Sequence, residues 1–173
     1  NLSKRCGFNC ENILNTKSLL IKNNFSVDSI QAIMIKKDLI LDNNVIMEGI
    51  GEDTVFFYEI MLLSKKIKII NEFIHLYYKD RDDSLTNTID DKYFEGHLLA
   101  QKRKKNVLEN NGILLNYLRS KQEIHFKYYL YNKMFLADNL HHAKKILYEI
   151  YEIYEGKWIL TDKDLKYFFE NYR

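Results

Sequence analysis

Proline is missing altogether from the 173 residues. Average usage is about 5%, and a chain without proline lacks the residue that most often breaks helices. Long uninterrupted helices are therefore favoured. Cysteine is scarce: Cys6 and Cys10 stand in a C-x3-C spacing. That is no usual zinc or redox pattern, and there is no second pair to complete four ligands. The reading is of two reduced thiols in a cytosolic protein, with a disulfide across the short loop as the alternative. No apolar run approaches the roughly 18 residues of a membrane span, and the opening NLSKRCGFNCENILN lacks the apolar centre of a signal peptide. An excess of one charge is also lacking. Lys and Arg number 26 against 24 Asp and Glu, interspersed, for a net charge of +2 and a pI near 8.4. Nucleic-acid domains concentrate basic residues on one face, so no nucleic-acid partner is expected.

What is present suffices for a packed core: 46% of residues are hydrophobic and 14% aromatic. The length predicts one domain, or one and a fraction. Residues 1–28 are polar and read as loop with one short helix. SIQAIMI (29–35) fits a buried strand or a helix start, and KKDLILDNN a short helical turn ending at Asn43–Asn44. From Asp53 the spacing of Val55, Phe56, Tyr58, Ile60, Leu62 and Leu63 predicts a helix with Glu59 and Ser64 outside its apolar face. KIKII (66–70) and FIHLYY (73–78) read as strands, and KDRDDSLTN (79–87) as a polar turn. After Asp90 helical spacing dominates. Helices are predicted over 91–110, over 113–120, over 139–155 with Gly156 as the stop, and from Thr161–Asp162 to Tyr172. Ser120-x-x-Glu123 matches a capping box.

The most informative local pattern is EGIGED, where Glu52 and Asp53 follow Gly49 and Gly51 at the predicted helix start. A carboxylate there sits in the favourable field of the helix dipole and can accept free backbone N–H groups. Both effects keep it ionised. That suits a cap, and it equally suits a base that takes a proton from a substrate hydroxyl.

The ordered set Lys36–Lys37–Asp38–Leu39, Gly49 to Gly51, Glu52–Asp53, Ile67 to Ile70 and His75 to Ser84 resembles the second half of the catalytic domain of family 2 glycosyltransferases of the GT-A fold. The resemblance covers residues 29–87, about a third of the chain. It implies an α/β architecture, with residues 1–90 as the acceptor-side half of a GT-A nucleotide-diphospho-sugar transferase sandwich. Residues 91–173 then form an attached helical region, and the chain is helix-dominated overall. It implies Asp53 as general base toward an acceptor hydroxyl, with Glu52 orienting the acceptor or the loop. Gly51, His75, Tyr78, Arg81 and Ser84 fall where similar proteins contact substrate, Arg81 and Ser84 as donors to phosphate oxygens. The implied partners are a nucleotide-sugar donor and a saccharide or lipid-linked acceptor, as in bacterial polysaccharide biosynthesis. A divalent metal (Mn or Mg) belongs to the full-length enzyme, and none is expected in this fragment.

The sequence departs from that family. The metal-holding Asp-x-Asp motif should precede the acidic pair, whereas Asp80-x-Asp82–Asp83 follows it and reads as a turn. Residues 1–28 are too few for a nucleotide-binding βαβαβ half. With Asn1 in first place, the expectation is a C-terminal fragment, cytoplasmic or membrane-associated, whose missing N-terminal half is its first partner. Catalysis by this chain alone is not expected. The basic run Gln101–Lys102–Arg103–Lys104–Lys105 reads as a solvated face or as a contact to anionic lipid. Phe126, Tyr128, Tyr129, Tyr131 and Phe135 read mostly as core, with a membrane interface as the alternative. YEIYEIYEG (148–156) reads as helix packing, and the adjacent His141 and His142 do not pair on a helical face as metal ligands. The rival to the transferase is a non-catalytic, mainly helical interaction module in which Glu52–Asp53 only caps a helix.

Overall fold

The computed structural model describes residues 12–13, 15–26, 33–68, 88–120, 123–154 and 157–172. In chain order these form β1 (Asn12–Ile13), α1 (Thr16–Lys22), α2 (Lys37–Leu41), α3 (Glu52–Leu63), β2 (Ile67–Lys68), α4 (Asp91–Asn110), α5 (Leu114–Leu118) and α6 (Glu123–Phe126). A π-helical turn (Lys127–Tyr131) leads into α7 (Asn132–Met134), followed by α8 (Leu140–Ile153) and α9 (Lys163–Asn171).

The expected α/β sandwich is not formed. The strand structure among the described residues is β1 paired antiparallel with β2, Asn12 opposite Lys68 and Ile13 opposite Ile67. Of KIKII only Ile67 and Lys68 are in strand, FIHLYY lies outside the described residues, and 33–36 runs without regular structure into α2. The physical reason lies in α3. Val55, Phe56, Phe57, Tyr58, Ile60 and Met61 are all buried, so this helix is apolar nearly all round and needs cover on several sides. Helices supply it: α1, α2 and α4 pack against α3.

The most extensive packing joins α4 to α8. Tyr93, Phe94, Ala100, Gln101, Lys104 and Leu108 are buried on α4, and Ala143, Ile146, Leu147 and Ile150 on α8. One cluster of buried residues runs from Leu19 through Tyr58, Tyr93, Tyr117 and Leu147 to Phe169. Fully burying an aromatic or aliphatic side chain of this kind contributes roughly 1.5–3 kcal/mol. Three buried tyrosines have partners for their hydroxyls: Tyr58 donates to the Phe25 carbonyl at 2.6 Å, Tyr93 to that of Tyr129 at 2.7 Å, and Tyr154 to Gln101 Oε1 at 2.8 Å.

Without proline, the helices stop by backbone geometry. Asn24, Asn44 and Gly112 adopt left-handed φ of 49°, 50° and 68°. After each, the chain closes with two reversed bonds: Phe25 N–H to Leu20 O and Asn24 N–H to Ile21 O, Val45 to Ile40 and Asn44 to Leu41, Ile113 to Leu108 and Gly112 to Glu109. This is the Schellman arrangement, and asparagine and glycine are the residues that tolerate its left-handed position. At the starts, Asp90, Asn139 and Asp162 accept N–H groups of their own helices. The capping box at Ser120 is not formed. Ser120 Oγ donates to the Tyr117 carbonyl, and Glu123 turns instead to the start of α9. There its carboxylate accepts the Thr161 N–H at 2.7 Å, the Thr161 hydroxyl, and the Asp162 N–H at 3.3 Å.

Candidate functional site

The acidic pair stands at the start of α3, but neither acid is the capping residue. Gly51 takes that position, in the left-handed region with φ 77°. Glycine is required there twice over: a Cβ on Gly51 would also come within 2.9 Å of His97 Nδ1 on α4. Across the contact, a Cβ on Gly96 would come within 3.0 Å of both Cβ and the backbone nitrogen of Ile50. The two glycines thus bring the 49–51 turn down onto α4.

Asp53 is exposed. Its Oδ1 accepts the N–H of the next residue, Thr54, at 2.7 Å, so part of its accepting capacity is spent on its own helix. Beneath it lies Lys104, only 7% exposed, with Nζ 5.7 Å above the Tyr117 ring. Burial pushes this lysine down to about 8, and the Asp53 carboxylate opposes the shift. Beside it, burial and then the Lys104 charge push His97 down to about 4, so His97 is neutral near pH 7.

Glu52 is half-buried and faces a cleft of about 250 Å³ between residues 44–48, α3 and α4. Ile46, Val55, Leu99 and Ala100 give the cleft its apolar walls, and Glu48, Glu52 and Glu59 supply carboxylates. Glu59 is not outside the helix contacts as the periodicity predicts. It is half-buried and takes Arg103 in a two-pronged ion pair, Arg103 Nε to Glu59 Oε1 at 2.9 Å and Nη2 to Oε2.

Of the predicted site residues, Gly51, Glu52 and Asp53 come together here, while His75, Tyr78, Arg81 and Ser84 lie outside the described residues. Asp80, Asp82 and Asp83 lie outside them as well, and among the described residues no group of three His, Cys, Asp or Glu side chains is placed to hold a metal ion. The basic run is not a uniformly solvated face: Lys102 points out, Arg103 pairs with Glu59, and Lys104 is buried. The aromatic segment is also divided. Phe126 is in the core and Tyr131 half-buried, but Tyr128, Tyr129 and Phe135 are exposed, which reverses the expectation of mostly core aromatics. Among the described residues no helix is long and apolar enough to cross a membrane.

Arg103, Lys104 and Leu99 were not readable as parts of this site. They lie some way along the chain from the acidic pair, and the only local signal was a charge run in which two residues turn inward. Compared with protein families, curated proteins and solved structures, the chain finds no match.

Proposed function

We propose that this chain is a non-catalytic, mainly helical interaction module, in which Glu52 and Asp53 serve the start of α3. The observation that carries this reading is the setting of Asp53. Its carboxylate bonds the N–H of Thr54 and stands against the charge of buried Lys104, at the end of a helix enclosed by other helices. Among the described residues, α1, α2 and α4 pack against the helix that this acid opens. An acid in the first turn of a helix is favourable by about 0.3–1 kcal/mol with no substrate involved.

The test is direct. The chain is incubated with nucleotide-diphospho-sugars and Mn or Mg, and release of nucleoside diphosphate is followed for the parent and for Asp53→Asn. No release from either protein is expected, together with a small drop in melting temperature for the variant. Release that disappears in Asp53→Asn at unchanged melting temperature would return the carboxylate to catalysis.

A further inference from the structure

The cleft beside Glu52 has a chemistry that specifies its occupant. We infer that it docks a lysine- or arginine-bearing amphipathic segment of a partner protein, an inference that rests on the interaction-module reading. Three features converge on it. The first is charge: three carboxylates, Glu48, Glu52 and Glu59, meet a single guanidinium, that of Arg103. Arg103 is committed to Glu59, whereas Glu48 and Glu52 have no ion-pair or hydrogen-bond partner among the described residues. Two unpartnered carboxylates lining one cleft give it net negative charge, which an incoming cation would offset.

The second feature is the apolar lining. Val55 and Ala100 form the buried part of the walls, while Leu99 and Ile46 stand 58% and 48% exposed at the cleft. Lysine and arginine carry three or four methylenes behind the charge and lay them along apolar surface while the head stays polar. The volume, about 250 Å³, suits one such side chain rather than a drug-sized ligand. The Arg103–Glu59 pair already shows a guanidinium held by two parallel bonds to a carboxylate in this cleft.

The third feature distinguishes a protein segment from a free amine. On the chain that leads into the cleft, Leu41 and Met47 are exposed as well, beside the lining residue Ile46 in sequence or a few residues before it. A polyamine has nothing to place there, whereas the apolar residues of an amphipathic segment do. By contrast, another cleft, about 230 Å³ among Tyr151, Trp158, Leu160, Lys166, Phe169 and Glu170, has one cation and one anion at its lining and no such preference.

The test uses the whole chain and a fluorescein-labelled amphipathic peptide of alternating leucine and arginine blocks, read by anisotropy. Spermine serves as competitor and a glutamate-for-arginine peptide as control. Saturable binding of the arginine peptide is expected, weakened roughly tenfold in a Glu48→Gln/Glu52→Gln double variant, since each exposed charge pair is worth a few-fold. Leu99→Ser should weaken it further, with melting temperatures of both variants close to the parent's. Equal binding by the parent and the double variant, no binding, equal binding of the glutamate peptide, or full competition by spermine would each overturn the assignment. Those failures leave the module reading intact. That reading fails separately, on nucleotide release that depends on Asp53.

Discussion

Two carboxylate-centred joints in this molecule use similar chemistry to opposite ends. At the joint between α6 and α9, Glu123 is 9% exposed and every nearby acid has a partner. Glu123 holds the backbone before α9, and Lys127 Nζ reaches Asp162 at 2.6 Å and Asp164 at 2.8 Å. The Lys127 ammonium is held well above its ordinary range by those two bonds, that to Asp162 first. At the joint between α3 and α4, Glu59 is matched by Arg103, while Glu48 and Glu52 line the cleft with no ion-pair or hydrogen-bond partner among the described residues. The first joint is closed, and its charges hold the chain together. The second is half open, and its spare charge is available to something outside. A carboxylate's role follows from whether its lone pairs are already taken.

Breaking the closed joint should have the largest effect. Glu123→Ala leaves the Thr161 and Asp162 N–H groups without their acceptor, and a loss of about 3 kcal/mol is expected by chemical denaturation, with Glu123→Gln in between. Next comes the open joint's buried cation. The Lys104 pKa in the fold, about 8, lies below the ordinary lysine value. The unfolded chain therefore binds more protons between those values, and stability rises with pH across that window. Lys104→Met is expected to stabilise at pH 7 by an amount on the order of 2 kcal/mol. Its advantage over the parent should shrink as the pH is raised from 8 to 10. A constant difference across that range would contradict the placement of Lys104. Above about pH 10 the raised pKa values of the buried tyrosines lower stability in both proteins, so they leave the difference between the two unchanged.

Gly51→Ala should cost about 1–2 kcal/mol, combining a left-handed φ with a Cβ pressed on His97. Gly49→Ala has only the φ of 92° against it and should cost less. The smallest effect, about 1 kcal/mol, is expected for Tyr58→Phe, which removes the hydroxyl donated to the Phe25 carbonyl. Thermal unfolding of the three variants side by side checks that order.

Where the sequence carries local signals, the fold was legible in it. The bounds of α4 follow from Asp90 as cap and Asn111–Gly112 as stop, the start of α8 from Asn139, and that of α9 from Asp162. The sandwich was misjudged in part because the alternation of KIKII, from Lys66 to Ile69, is too short to separate a strand from an extended connector. Two of the five residues pair with β1 and two lie outside the described residues. Ser120-x-x-Glu123 misled for a different reason: the glutamate that a capping box would turn back on its own helix found better donors at Thr161. In the candidate site, Gly51, Glu52 and Asp53 were visible as a motif. Their opposite wall was not, because nothing local marks which residues of α4 turn toward α3.

Docking at the unmatched acids of the half-open joint fixes where a bound peptide perturbs the backbone. Amide chemical-shift mapping of the whole chain with the arginine–leucine peptide tests it most directly. Shifts are expected to centre on residues 46–55 and 99–103, with the α6–α9 joint undisturbed. Shifts centred instead on the exposed aromatics Tyr128, Tyr129 and Phe135, or spread evenly over the surface, would contradict it.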